Sequence, residues 1–571
     1  MKNIDMRYRK KLAALLAGAA LLGTTMQAAA REPSALLPRL ETRGQAIQLI
    51  VDGKPWIALG GEVHNSSVSS RTDLGPLFDK LRKMHLNTVV TPVYWELLEP
   101  EEGRFDFTLV DDQIRLARKN GMRLVLLWFG TIKNAKSTYA PEWVRADLKR
   151  FPRAVTRPST LPFAQGDKPI SLFGGAIATA DAAAFTRLTA HLAATDPQHT
   201  VIAIQVENET GLLGDSRDRS SAAEAAWNAP VPGALLDYLE KNKGHLDPTL
   251  DALWRSHGSK RGGTWAEVFG DGWQAEEVFM AWTVSRFVDT VAAAGKTKLP
   301  LPMYTNAWLG PQKEGDVAGT YPSGGPVPRV FDVWRAGAPH LDFLAPDIYV
   351  DDFSGWTAAY RQPSNPLFIP ESRFIVGNLF EALGRHQAIG FSPFGIEDGL
   401  PGNQLAETYA LLKPMLAHLT QAQAAGTVHG WALAAGERQS ADVGDYTVTV
   451  RGQREALHKM LLDMGVPAPA PVPERKPQNN GWGAPELTDI RPTGLLLQLG
   501  PDEFLAVGKD LELTFAAKGQ PDQPIELARV EEGRYLDGRW VAGRVLNGDE
   551  RLNILPSDSL GMVRIKLLRP R

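Results

Sequence analysis

Eight short apolar runs, most of them followed by a loop and an amphipathic helix, constrain this 571-residue chain more than any other feature. They lie near residues 57, 87, 123, 201, 301, 343, 366 and 388. Runs such as Asn87 to Val93 and Val201 to Gln205 are apolar or β-branched almost throughout, as strands covered on both faces should be. Between them, Leu74, Leu77, Phe78, Leu81 and Met84 share one helical face. Glu277 to Ala294 reads as a long helix, and Leu405 to Leu419 as the last of the series. Strands alternating with helices predict a parallel sheet with helices outside, and eight repeats predict an α/β fold of the (β/α)8 TIM-barrel type. Ala46 to Val51 and Trp56 to Gly60 flank Asp52-Gly53, which predicts a hairpin ahead of the barrel. Long insertions fall at about residues 133–180 and 211–275, after strand ends, where loops of this fold build active sites.

After residue 425 the texture changes. Short strand-like runs, including GLLLQLG, EFLAVG, LELTFAAK and VRIKLL, are separated by Gly, Pro, Asp and Asn. That spacing predicts a smaller C-terminal β-sandwich. A proline-rich stretch, 465–485, reads as extended chain or linker. The expected organisation is a leader at 1–30, a barrel with its N-terminal hairpin at 31–424, and a β-rich domain at 425–571.

The leader follows from charge and hydropathy. Arg9-Lys10-Lys11 precede an apolar run from Leu12 to Leu22, and Ala28-Ala29-Ala30 offer small residues for cleavage, the pattern of a secretory signal peptide. The run is too short for a membrane anchor, which needs about 20 apolar residues. Residues 1–30 hold five basic residues against one acid, so their removal takes the net charge from −3 to −7. The mature chain is expected in the periplasm or outside the cell. With no cysteine, it has neither disulfides nor a lipidated N-terminal cysteine, and its near-neutral charge argues against nucleic-acid binding. Its 11 histidines form no HExxH cluster, and no metal or cofactor is expected.

Two acids stand at the right ends of the right strands. The fourth run ends Gln205-Val206-Glu207-Asn208-Glu209, and the seventh ends Pro370-Glu371-Ser372. Both belong at the C-terminal mouth of the barrel, on opposite sides of a ring of eight. Two carboxyls about 5–5.5 Å apart suit retaining glycoside hydrolysis, in which one protonates the glycosidic oxygen and the other attacks the anomeric carbon. Asn208 is placed to bond the sugar 2-hydroxyl.

These residues resemble clan-A glycoside hydrolases and, among them, glycoside hydrolase family 35, the β-galactosidases. Gly60-Gly61-Glu62-Val63-His64 resembles the family's first-strand motif. Leu86-Asn87-Thr88 through Val93-Tyr94-Trp95 and on to Phe107 resembles its second. Gln205 to Glu209 resembles its acid/base segment, and Thr305-Asn306-Ala307-Trp308 its fifth-strand segment. The resemblance covers about residues 45–420. The part beyond resembles the β-sandwich of a bacterial branch, in which galactosyl side chains of plant polysaccharides such as xyloglucan are a known substrate.

The resemblance implies Glu209 as acid/base, Glu371 as nucleophile and Tyr349 as the tyrosine beside the nucleophile. It implies that Tyr94 lies in the substrate pocket. His64 touches sugar hydroxyls or orients a neighbour, and Trp128 and Trp308 stack on sugar or pack in the core. Three loops depart from the family. Trp95-Glu96-Leu97-Leu98-Glu99-Pro100 replaces Trp-Asn-x-His-Glu-Pro, Lys133-Asn134-Ala135 replaces Ala-Glu-Trp, and Asn65-Ser66 replaces an aromatic segment. Glu96 and Asn134 are expected to take over the missing contacts. The implied activity is a secreted, retaining exo-β-galactosidase acting on oligosaccharide or plant cell-wall polysaccharide fragments. The alternatives are a clan-A β-glycosidase of another sugar specificity and a noncatalytic carbohydrate-binding barrel.

Overall fold

A computed structural model of the chain describes residues 36–164, 166, 168–467, 488–552 and 554–570. The expected leader and residues 468–485 of the proline-rich stretch lie outside them. The first elements are an antiparallel meander of β1 (Arg39–Arg43), β2 (Ala46–Val51) and β3 (Lys54–Trp56). Asp52 and Gly53 form the two-residue turn between β2 and β3, with φ of 52° and 75°. Both residues at positive φ match the right-handed twist of a hairpin, which is why Asp-Gly is favoured there. The additional strand β1 reads RLETR, too polar to show as a hydrophobic run.

Eight strand positions then close a parallel barrel. They are β4 (Ala58–Leu59), β5 (Thr88–Tyr94), β6 (Arg123–Lys133), β7 (Val201–Asn208), β8 (Met303–Trp308), β9 (Phe343–Ile348), a split strand β10 (Phe368–Ile369) and β11 (Glu371–Ser372), and β12 (Gly390–Phe391). One ladder runs β11-β9-β8-β7-β6-β5 and another β10-β12-β4. Glu62, just beyond β4, bridges to Val90 on one side and Phe394 on the other, which closes the ring. The seventh strand is split at Pro370, which has no N–H for a ladder. Phe368-Ile369 pair with β12, whereas Glu371-Ser372 pair with β9. All seven residues of β5 and all eight of β7 are buried, the signature of strands sandwiched between barrel interior and helices.

Eight helices follow the eight strands. They are α1 (Leu74–Lys83), α2 (Thr108–Lys119), α3 (Ala176–Thr195), α4 (Trp273–Lys296), α5 (Phe331–Gly337), α6 (Phe353–Tyr360), α7 (Val376–Phe380) and α8 (Gln404–Leu412). The closing helix is shorter than its apolar pattern predicts. A turn of 3-10 helix at Lys413–Met415, which contains Pro414, separates α8 from the helix Leu416–Ala425. The predicted insertions are real. The one after β7 carries four short helices between Ser221 and Phe269.

An ion network fastens the two insertions together beside the barrel mouth. Asp215, its side chain fully enclosed, is held by Arg157 at 2.6 Å and Arg219 at 2.8 Å, and Arg219 reaches Glu276 on α4 at 3.1 Å. Burial alone would raise the Asp215 carboxyl, but the two guanidinium groups outweigh it and hold it far below the usual range. Replacing Arg219 with alanine is expected to cost about 2 kcal/mol in urea unfolding. That is less than the ~3–5 kcal/mol of a wholly unpaired buried charge, because Arg157 remains. A depressed carboxyl contributes stability above its unfolded pKa and loses it as pH falls through the native value. The deficit should therefore shrink in acid; a deficit that is independent of pH would mean the network is only packing.

Beyond the barrel, nine strands form two sheets. They are β13 (Val428–Ala432), β14 (Arg438–Val443), β15 (Tyr446–Gly452), β16 (Thr493–Gly500), β17 (Glu503–Lys509), β18 (Leu511–Ala517), β19 (Glu526–Leu536), β20 (Arg539–Leu546) and β21 (Gly561–Leu568). The sheet β13-β16-β17-β21-β19-β20 faces the sheet β14-β15-β18 over a core that includes Val448, Leu496, Phe504 and Ile565. This is the expected β-sandwich. An unexpected helix, Gln453–Asp463, follows β15. The sandwich is joined to the barrel by buried Asp489, which accepts the Gly377 N–H of α7 at 2.8 Å and pairs with Arg491 at 2.9 Å.

Candidate active site

The acids at the ends of β7 and β11 do meet. Glu209, Glu371 and a third acid, Asp347, each bring a carboxylate oxygen within 4.8 Å of the other two. All three are almost wholly enclosed, at 3–5% exposure. Asp347 arrives through register: it is the cross-strand partner of Glu371 on β9.

Glu371 is surrounded by donors. The Tyr349 hydroxyl donates to Oε2 at 2.7 Å, and the side-chain amides of Asn208 and Asn306 donate to Oε1 at 3.2 and 3.4 Å. Burial and the adjacent Glu371 charge keep the Tyr349 phenol well above its ordinary range, so it stays a neutral donor.

Glu209 has the opposite surroundings. Burial first, and then the Glu371 charge, push its carboxyl up to about 8; Lys133 and the Asn134 amide pull the other way. Asn134 donates its side-chain amide to Glu209 Oε2, and the Glu209 backbone N–H is held by Asn306 Oδ1 at 2.9 Å. A buried carboxyl raised to about 8 beside one ringed by hydrogen-bond donors is the arrangement of an acid and a nucleophile.

The backbone here is unusual. Eleven non-glycine residues among those described have positive φ, and four of them, Asn134, Ala135, Glu207 and Glu209, lie on the two strand ends beside the acid. Left-handed geometry costs roughly 1–2 kcal/mol per L-residue, so surrounding bonds must enforce it. The Asn134 and Ala135 N–H groups donate to the Asn208 and Glu209 carbonyls, each at 3.2 Å. Lys133 Nζ donates to Asn208 Oδ1 at 2.8 Å.

Several expected roles change. Trp128 is fully buried; its indole N–H donates to Asp181 at 2.8 Å and its ring packs on Trp95 and Phe185, so it is a wall of the core and not a sugar platform. Strand alternation turns it outward, toward α3. Asn208 spends its amide on Glu371 and Lys133, and Asn134 grips the acid itself. Trp308, half-buried at the end of β8, keeps a position at the barrel mouth. Tyr94 is 3% exposed and packs against Phe129 and Tyr139. Glu96 is half-buried on the rim, 3.8 Å from Arg145. His64 pairs with Asp398 at 2.7 Å, and its backbone N–H is capped by Glu397.

Four residues of the site escaped the sequence reading as site residues. Asp347 carried a signal, since Asp347 and Tyr349 stand two apart at a strand end and share a face. Asn306 lay inside a recognised segment without a role. Lys133 sits in a departure from the family pattern. Glu62 lies inside the first-strand motif. It is fully enclosed and raised well above the carboxylate range by burial and then by Glu371. Burial, then Glu371 and Glu209, do the same to Asp347.

Residues 48–136 match the glycosyl hydrolases family 35, and residues 405–555 match a domain of unknown function (DUF5597). A β-galactosidase of Xanthomonas manihotis is 34% identical over 108 residues, which are 18% of this chain and 17% of that protein. β-Galactosidase 11 of Arabidopsis thaliana is 36% identical over 103 residues, 17% of this chain and 12% of its own. The chain thus matches less than a fifth of the length of these curated relatives. Among solved structures, the β-galactosidase of Rahnella sp. R3 is similar over 90% of this chain and 99% of its own, with 13% identity and a TM-score of 0.45. The segment that matches glycosyl hydrolases family 35, residues 48–136, runs from β2 to the turn bearing Lys133 and Asn134.

Proposed function

We propose that this chain is a retaining β-galactosidase, with Glu371 as nucleophile and Glu209 as acid/base. The observation that carries the reading is the pair itself: carboxyl oxygens within 4.8 Å, one carboxyl ringed by donors and the other raised to about 8. That spacing suits double displacement and leaves no room for a water between the carboxyls, as an inverting enzyme requires. Glu371 attacks the anomeric carbon while Glu209 protonates the departing oxygen. The glycosyl–enzyme ester forms with the Glu371 carboxylate. Glu209, now ionised, then takes a proton from water, which attacks the anomeric carbon and releases Glu371.

The sugar, the mode of attack and the location are finer parts of the proposal. Galactose rests on the family and the printed names of the relatives. Exo action, with xyloglucan side chains as substrate, rests on the sequence resemblance, and export rests on the leader pattern. A panel of nitrophenyl glycosides tests the sugar, and proton NMR of the first-formed anomer tests the mechanism. Release of β-galactose from nitrophenyl β-galactoside is the expected result. Preference for another glycoside would leave the mechanism and replace the sugar; first-formed α-anomer would sink the nucleophile assignment.

A further inference from the structure

Two more carboxyls lie directly behind the end of β7. Glu207 on β7 and Asp181 on α3 are both fully enclosed. The Thr131 backbone N–H reaches both of them, Asp181 Oδ2 at 2.8 Å and Glu207 Oε1 at 3.2 Å. The Thr131 hydroxyl donates to Asp181 Oδ2 at 2.6 Å, the Trp128 indole donates to its other oxygen, and the Ile132 N–H donates to Glu207 Oε2. These donors are neutral. Gly130 makes the space: a Cβ there would stand 2.6 Å from Glu207 Oε1 and 2.7 Å from Asp181 Oδ2.

The turn that this pair grips is the one that carries the site. Residues 131 and 132 lead into Lys133, bonded to Asn208, and Asn134, bonded to Glu209. Glu207 itself has φ 63°, two residues before Glu209 at 45°. A strained strand end persists only when its surroundings over-determine it. Two carboxyls enclosed side by side among neutral donors do not both ionise.

We propose that Glu207 keeps its proton and donates it to Asp181, and that this acid–carboxylate pair is the positioning device that holds Glu209 against its partners. Burial and then the Asp181 charge hold the Glu207 carboxyl well above the ordinary range, in keeping with a retained proton. Neither residue touches substrate. Both act through the end of β6 and the turn that follows it, residues 131–134.

The inference rests on Glu209 as acid/base, and the test separates the two. Full-length Glu207→Ala and Glu207→Gln are assayed on a phenyl glycoside and a dinitrophenyl glycoside of the accepted sugar. Dinitrophenolate leaves without protonation, so only the phenyl substrate needs a well-placed acid. Glu207→Ala is expected to lose about 10²-fold in kcat/KM on the phenyl glycoside, the scale of a misplacement of ~1 Å, and only a few-fold on the other. Glu207→Gln donates an amide N–H in place of the proton and is expected to recover most of the phenyl activity. Equal losses on both substrates, or a glutamine no better than alanine, overturn the proposal. An infrared difference spectrum, wild type minus Glu207→Gln, is independent of turnover. A protonated-carboxyl band is expected, and its absence overturns the proposal even if no glycoside is cleaved. Cleavage of no glycoside by the wild type, with the band present, counts against the proposed function alone.

Discussion

Glycine in place of Glu371 is expected to lower turnover of an aryl galactoside by about 10⁴-fold or more, and added azide is expected to restore it. The size follows from what the residue does. Without its carboxylate the first displacement has no nucleophile, and the remaining groups supply only binding and acid catalysis. The donors that surround it, Tyr349, Asn208 and Asn306, are anchored on β7, β8 and the end of β9 and should stay in place. They leave an anion-sized space lined by N–H and O–H groups on the correct face of the sugar. Azide entering there attacks once, and no second displacement follows, so the product is the α-glycosyl azide. A second effect follows from charge. Glu371 is the largest influence after burial that raises Glu209. Removing it should move the alkaline limb of the rescued reaction to lower pH. A variant that retains activity, or a β-configured azide, would show that another residue is the nucleophile; Asp347 is the nearest candidate.

The barrel was legible because each of its strands is a local apolar run of length suited to the fold, and each is followed by a loop and helix. That local repetition also placed Glu209 and Glu371 at strand ends before any contact was known. What could not be read locally is what the ring brings together. Asp347 looked like any acid after an apolar run, and only its register against Glu371 on β11 makes it a third member of the site. Asn306 and Asn208 are four strand ends' worth of geometry away from being recognisable as donors to one carboxylate. Trp128 stays open between sugar and core in the sequence because β6 is buried on both faces, so period-two alternation gives no outward polar side to orient the indole. The split of the seventh strand was written in Pro370, whose missing N–H ends one pairing and frees Glu371 to join another. The polar strand β1 and the helix Gln453–Asp463 were missed for the same reason: neither has an apolar stripe strong enough to stand out from a surface segment.

Glutamine in place of Glu209 is expected to lower kcat/KM on a phenyl galactoside by about 10²–10⁴-fold while the dinitrophenyl galactoside loses far less. The amide preserves shape and can still accept from Asn134, so the loss reports the missing proton. The pH dependence carries the sharper signature. Wild-type glycosylation needs protonated Glu209, so kcat/KM should fall as pH rises through about 8, and the variant should lack that limb. Stability should fall in the same direction. An unfolded glutamate ionises near pH ~4.3, whereas the native one holds its proton to about 8. The native state therefore binds more protons than the unfolded chain across that window, and its stability falls as pH rises. Glutamine has no proton to lose, so the variant should gain on the wild type in denaturant unfolding between pH 5 and pH 9. The two measurements are coupled through one group: the burial that makes Glu209 an acid at neutral pH is the burial that weakens the fold there. A wild-type alkaline limb that survives in the variant, or a stability difference that does not change with pH, would assign the raised carboxyl to Asp347 or Glu62 instead, since burial beside Glu371 raises those two as well.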